Sequence, residues 1–123
     1  IKVKKRWFNY FILKHKDQVV IHQRIRKDIW QQLFEFILIE TDKNFSQKGL
    51  IHLFKKQYDI ENCKVIHFSS LKQKLTHQLI QFNFLEIELN KTEIPGFFWI
   101  KISELNKYAF PKSLQEFVAI HLK

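Results

Sequence analysis

The sequence predicts one mixed α/β (α+β) domain over residues 1–123. Three observations carry that expectation. Apolar runs of strand length recur along the chain, and two stretches switch to the three-and-four spacing of helices. The composition also suits a packed core, with 46% of the 123 residues hydrophobic and 15% aromatic, which excludes a disordered chain. A chain of this length buries one domain's core.

Residues 4–14 place Phe8, Tyr10 and Ile12 on one parity and Trp7, Phe11 and Leu13 on the other, the pattern of a strand buried on both faces. A polar turn at residues 14–18 and a returning strand at 19–22 predict a hairpin with a longer loop. A basic loop around Arg24, Arg26 and Lys27 precedes Trp30, Leu33 and the apolar run 34–39, which reads as a buried strand. Ser46 is an expected N-cap for a helix carrying Leu50, Ile51, Phe54 and Tyr58 on one face. Residues 64–68 read as a short strand, and residues 78–89 as a long one. In the long strand the apolar parity changes between Phe84 and Leu85, which predicts a bulge there. A turn ending in Pro95-Gly96, a strand at 97–102 and a helical turn from Ser103 follow. Pro111 then opens a last helix with Leu114, Phe117, Val118 and His121 on one face.

The formal net charge of +9 suits a polyanionic partner, and a merely soluble basic surface is the competing reading. The single cysteine, Cys63, excludes a disulfide framework, a four-cysteine zinc site and an iron–sulfur cluster within the chain. No apolar run approaches the ~18 residues of a membrane span, so no membrane partner is expected. The chain contains no Met and is expected to be part of a longer protein. His15, His22, His52, His67 and His121 show no metal-ligand spacing, and no metal site is expected. No serine or carboxylate arrangement suggests catalysis, and Cys63 lacks an identifiable base.

Three segments carry a resemblance. Residues 23–40 read Q-R-I-R-K-D-I-W-Q-Q-L-F-E-F-I-L-I-E. This is similar to the pattern R-x-x-x-G-x-W-x-G-L-W-E-F-P in the C-terminal domain of bacterial A/G-specific adenine glycosylases, the MutY family. Arg24, Trp30, Leu33, Glu35 and Phe36 match, and Phe34 stands for the usual Trp. Asp28 and Gln32 replace the two glycines and Ile37 the proline, so a different loop path is expected. The tail resembles the family's W-x-x-x-x-E-L-x-x-Y-A-F/L-P through Trp99, Glu104, Leu105, Tyr108, Ala109, Phe110 and Pro111. Between them, Leu75-Thr76-His77 stands where the family carries F-S-H or F-T-H, with Gln73 in place of a second histidine.

The resemblance implies a Nudix-like fold, a mixed β-sheet packed by helices. It also implies a role in DNA repair: recognition of 8-oxoguanine opposite the adenine that a separate N-terminal glycosylase domain excises. The implied partners are duplex DNA containing 8-oxoguanine:adenine and that N-terminal domain, in a bacterial cytoplasm. The iron–sulfur cluster belongs to the N-terminal domain in this family, so no cofactor is expected here. The implied lesion-binding residues are Leu75, Thr76 and His77, with Gln73, Lys72 and Lys74 beside them.

Oxidation at C8 turns guanine N7 into an N–H donor, and the Thr76 hydroxyl has lone pairs to accept from it. Lys72 and Lys74 either position the domain on phosphates or form a solvated strand face. Arg24 either meets phosphate or pairs with Glu35 or Glu40. For Leu75-Thr76-His77 the ordinary structural alternative is a strand start.

In a Nudix hydrolase the helix at this position carries R-E-x-x-E-E, whose carboxylates hold the divalent metal. Here it reads Phe54-Lys55-Lys56-Gln57-Tyr58, and no Asp or Glu lies between Ser46 and Tyr58. The hydrolase motif is absent. Two alternatives remain at this stage: a nucleotide pyrophosphohydrolase with ligands elsewhere, and a structural or protein-interaction module.

Overall fold

The computed structural model describes residues 2–123. Strand β1 (Lys4–His15) is central: it runs parallel to β6 (Gln78–Leu89) along its length. On its other edge it pairs antiparallel with β4 (Ile37–Thr41) and, at its end, with β2 (Gln18–Gln23). β5 (Cys63–Lys74) flanks β6, while β3 (Phe34–Glu35) and β7 (Phe98–Lys101) both pair with β2. The result is a mixed seven-stranded sheet.

Each face of the sheet builds its own core, because β1 and β6 are apolar on both parities. On one face Phe8, Tyr10, Ile12, Phe82 and Phe84 pack against Leu114 and Phe117 of α2 (Lys112–Phe117), and against Val118 and Leu122 in the π-helical turn that follows. On the other, Phe11, Leu13, Leu85 and Ile87 pack against Leu50 and Phe54 of α1 (Gln47–Tyr58). This corrects the expected bulge in β6. The strand is regular through Phe84-Leu85, and the parity change records a second buried face rather than an inserted residue.

The bulge lies instead on β5. Val65 pairs with Ile87 and His67 with Glu86, so Ile66 is the extra residue. Three further sequence expectations are revised. The short strand expected at 64–68 runs on to Lys74 as part of β5. The first hairpin closes tightly, because His15 pairs directly with Gln18 and Lys16 adopts φ 53°. The run 34–39 also serves two partners: β3 joins β2, Phe36 turns the chain, and β4 joins β1.

Helix α1 starts as its sequence dictates. The Ser46 side chain accepts from the Gly49 N–H at 3.1 Å, satisfying one of the helix's otherwise unpaired donors. Asp59, in the left-handed region at φ 53°, closes the other end with its N–H on the Lys55 carbonyl. At the other helix, a 3₁₀ segment (Ile102–Lys107) leads through Phe110 and Pro111 into α2.

Two of the three resembling segments meet each other. The Phe34 N–H donates to the Ala109 carbonyl at 2.7 Å. Phe34 packs edge-on to Tyr108 at 4.9 Å, and Phe36 lies 5.6 Å from Phe110. These motifs are therefore fold-forming contacts.

The loop from Arg24 to Leu33 keeps a tight path despite its missing glycines. Gln32 adopts φ 75° where the resembling family has glycine, and its N–H still donates to the Arg24 carbonyl at 2.7 Å. A left-handed conformation costs a residue with a Cβ roughly 1–2 kcal/mol. Gln32→Gly is therefore expected to raise unfolding stability by about 0.5–1 kcal/mol, net of glycine's greater unfolded-state entropy. A urea midpoint that falls in this variant would contradict the strain argument.

Candidate nucleic-acid interface

The hairpin of β5 and β6 ends in a turn that presents Thr76 and His77. Both side chains are exposed. The turn is pinned on each side: the Leu75 N–H donates to the Gln78 carbonyl at 2.7 Å, and the Lys4 N–H to the His77 carbonyl at 2.9 Å. Leu75 is half-buried against the α2-side core. Gln73 points the same way, where its side-chain carbonyl accepts from the Ser113 hydroxyl of α2. Leu75 and Gln73 thus anchor the tip from beneath.

Lys72 and Lys74 lie on the opposite face of β5 and are exposed. The register sets Lys74 opposite Leu79, and Leu79 beside Lys5 of β1. Lys5 thus joins Lys72 and Lys74 on one face, with Lys4 at the edge of the turn. Sequence reasoning missed Lys4 and Lys5, because only the parallel pairing of β1 with β6 brings them there. A further signal was in the sequence: no acidic residue lies between Glu61 and Glu86. The part of the hairpin nearest the turn, residues 62–85, is therefore free of carboxylates that would repel a phosphate backbone.

Next to Lys72 the same face carries a polar network. The buried Asn83 amide donates to Asn9 Oδ1 at 2.8 Å, and Ser70 Oγ donates to Asn83 Oδ1 at 2.8 Å. Asn9 in turn donates to the Ile39 carbonyl at 2.9 Å. These partners satisfy groups that would be costly to bury alone, and they fix β5 and β6 against β1.

The basic loop divides. Arg26 and Lys27 are exposed, whereas Arg24 is buried and pairs inward, resolving its two readings in favour of the fold. Its guanidinium reaches Glu35 Oε1 and Asp28 Oδ2, each at 3.0 Å. Glu35, itself buried, also accepts from the Tyr10 hydroxyl at 2.7 Å and meets His22 Nε2 at 3.0 Å. Burial of Tyr10 beside this carboxylate pushes its phenol well above the ordinary value. Arg24 and Glu35 line an open cleft of about 860 Å³ walled by Phe34, Phe97 and Phe98. Both Glu35 oxygens are engaged, which fixes the carboxylate in the cleft.

Arg6 holds the other half of the network. It grips Glu40 with two hydrogen bonds of 2.8 Å and Asp28 with bonds of 2.8 and 3.0 Å. Asp28 therefore replaces a family glycine with a charge bridging Arg6 and Arg24. Burial of the Cys63 thiol raises its pKa, which disfavours the thiolate a nucleophile needs.

A sheet covered by α1 on one face and by α2 on the other, with a cleft beside β2 and β7, defines a Nudix-type sandwich. The chain belongs to the Nudix domain family, whose model matches residues 9–119. No curated protein matches the sequence. Among solved structures, a MutT protein of the Nudix hydrolase family from methicillin-resistant Staphylococcus aureus 252 aligns with TM-score 0.78 at 18% identity, covering 96% of this chain and 95% of that one. The ORF135 protein of E. coli gives TM-score 0.68 at 16% identity, covering 95% and 88%. The C-terminal domain of mouse MUTYH, solved in complex with human PCNA, gives TM-score 0.63 at 15% identity, covering 94% and 86%. At these identities the likeness concerns the fold. Among the described residues no helix is long and apolar enough to cross a membrane.

The hydrogen bonds from Arg6 hold the Asp28 carboxyl below its ordinary value, at about 2, although desolvation pulls the other way. A depressed carboxylate pKa contributes stability above the unfolded value near 4, and that contribution is lost as pH falls toward the folded value. Between pH 5 and pH 2 the native chain is expected to lose about 1–2 kcal/mol more stability than Asp28→Asn, allowing for solvent screening. Parallel pH profiles of the urea midpoint for the two proteins would refute the coupling.

Proposed function

We propose that this Nudix domain is a non-catalytic DNA-reading module, the lesion-recognition domain of an adenine DNA glycosylase. The reading is carried by the β5–β6 tip. It presents Thr76 and His77 in solvent beside Lys4, Lys5, Lys72 and Lys74, on a hairpin without a carboxylate between Glu61 and Glu86. Helix α1 supports it from the other side, because its face offers lysines where a Nudix hydrolase needs metal-holding acids. The fold likeness to the MUTYH C-terminal domain agrees with this reading.

In this mechanism the lysines meet phosphates and set the register of the domain on the duplex. The Thr76 Oγ then accepts from the N7–H of 8-oxoguanine, a donor that guanine lacks. The same hydroxyl can rotate to donate to ordinary guanine N7, so discrimination from this contact is roughly 1–3 kcal/mol. Leu75 and Gln73 hold the turn so that Thr76 does not pay the full entropy of ordering on contact. Flipping and excising adenine belongs to an N-terminal glycosylase domain acting on the opposite strand position.

A residue-resolved NMR titration tests the reading, using a duplex with 8-oxoguanine opposite adenine and the same duplex with guanine. Shifts centred on residues 71–77 and larger with the lesion are expected. Shifts equal for both duplexes and spread over the lysines would overturn lesion reading, and magnesium-dependent turnover of an oxidised guanine nucleotide would establish a hydrolase instead. Thr76→Ala should lower the preference for lesion duplex by about 1–3 kcal/mol while leaving affinity for the guanine duplex nearly unchanged; equal loss on both contradicts the assignment. Lys72→Ala should weaken both complexes and reduce the salt dependence of log K by about one unit. An unchanged slope removes Lys72 from the phosphate contacts.

A further inference from the structure

The fold gathers two histidines that sequence spacing scatters. His67 on β5, Glu86 on β6 and His121 in the C-terminal turn each offer a ligand atom, and these atoms all lie within 4.8 Å of one another. The Ile66 bulge creates this arrangement. Before it, Cys63 and Val65 pack with the α1-side core. After it the parity of β5 is reversed, so His67 stands directly across from Glu86, on the face where Gln73 meets α2. A regular strand would have turned His67 to the opposite face. Bulges re-aim side chains in this way.

The surroundings of the three groups favour a shared cation. Glu86 is 4% exposed, and a carboxylate buried to that degree needs a counter-charge. Its partner Lys14 approaches Oε1 only to 3.4 Å, well beyond the roughly 2.7–2.9 Å of a strong charge-assisted bond. The His121 ring is stacked on Phe117 at 4.8 Å and lies 5.0 Å from the His67 ring. Ser69, two residues along β5 from His67, has a buried hydroxyl without a partner among the described residues.

We propose that His67, Glu86 and His121 form a site for a divalent transition metal of the zinc type. Two imidazoles and one carboxylate are a donor set that Zn²⁺ accepts, whereas Mg²⁺ and Ca²⁺ prefer oxygen alone. Ligands about 2.0–2.1 Å from a tetrahedral ion lie about 3.4 Å from one another. Closing the site therefore needs any two ligands to approach by at most a little over an ångström, movement to which the exposed His67 ring contributes by side-chain rotation. The fourth position falls to water. The ion replaces Lys14 as the main counter-charge of Glu86 and ties the C-terminal turn to the β5–β6 hairpin. This site lies along β5 from the Thr76 turn and does not rest on the DNA-reading proposal.

The test is calorimetric titration of zinc chloride into the untagged chain carrying Cys63→Ser, which removes the thiol as a competing ligand. One ion per chain is expected. His67→Ala and His121→Ala should each weaken binding at least tenfold, the lower end of what losing even an outer-shell partner costs. His52→Ala, on α1, should leave binding unchanged. Cobalt chloride should give the visible absorption bands of a tetrahedral ion, and these should vanish in His67→Ala. Absence of zinc binding, or binding that survives in both His67→Ala and His121→Ala, overturns the proposal. Should His121→Ala fail to fold, His67→Ala on the exposed strand face decides the outcome.

Discussion

The parallel pairing of β1 with β6 is the constraint on which the rest of the structure depends. Both strands are apolar on both parities, so pairing them buries Phe8, Tyr10, Phe82 and Phe84 on one face and Phe11, Leu13, Leu85 and Ile87 on the other. One alignment thus founds two cores, and each core recruits its helix. A slip of one residue would exchange the faces of every side chain in the strand. The register also sets where Lys4 meets His77. Stability and site geometry follow from the same hydrogen-bond ladder.

An ionic network built on the buried Arg6, Arg24 and Glu35 completes the scaffold beside the ladder. Arg6 and Arg24 both lie over the Phe8 ring, at 4.6 and 5.6 Å, and share Asp28 between them. Through Glu40 and Glu35 they tie β1 and the irregular loop to β4 and β3. A buried charge is costly without a partner, and here Arg6, Arg24 and Glu35 each have one. The network holds a loop that lacks glycines in its path, with Gln32 and Trp30 both at positive φ.

The same scaffold supports different chemistry according to what its surfaces carry. A Nudix fold does not by itself imply hydrolysis, because function resides in the site placed on the fold. Here α1 is held by the Ser46 cap and by stacking of Phe54 on Phe11 at 4.8 Å, contacts that need no carboxylate. The helix keeps its structural role while its face lacks the acids that would hold a metal. The exposed end of the β5–β6 hairpin, by contrast, combines a rigid turn with a concentration of positive charge.

The sequence by itself determined the features governed by neighbours along the chain. The double apolar parity of residues 4–14 announced a fully buried strand, Ser46 and Pro111 marked two helix starts, and the acid-free run from Ser46 to Tyr58 removed the hydrolase motif. These depend on spacings of two to four residues and on local capping, which a single chain displays directly. Tertiary structure alone decided which apolar run meets which. It divided residues 34–39 between two partners, placed the bulge at Ile66 rather than at Phe84-Leu85, brought Lys4 and Lys5 to the Thr76 turn, and joined His67 to His121. Those outcomes rest on register between strands far apart in sequence, where many pairings satisfy the same local pattern. Simultaneous burial of both sheet faces selects among them.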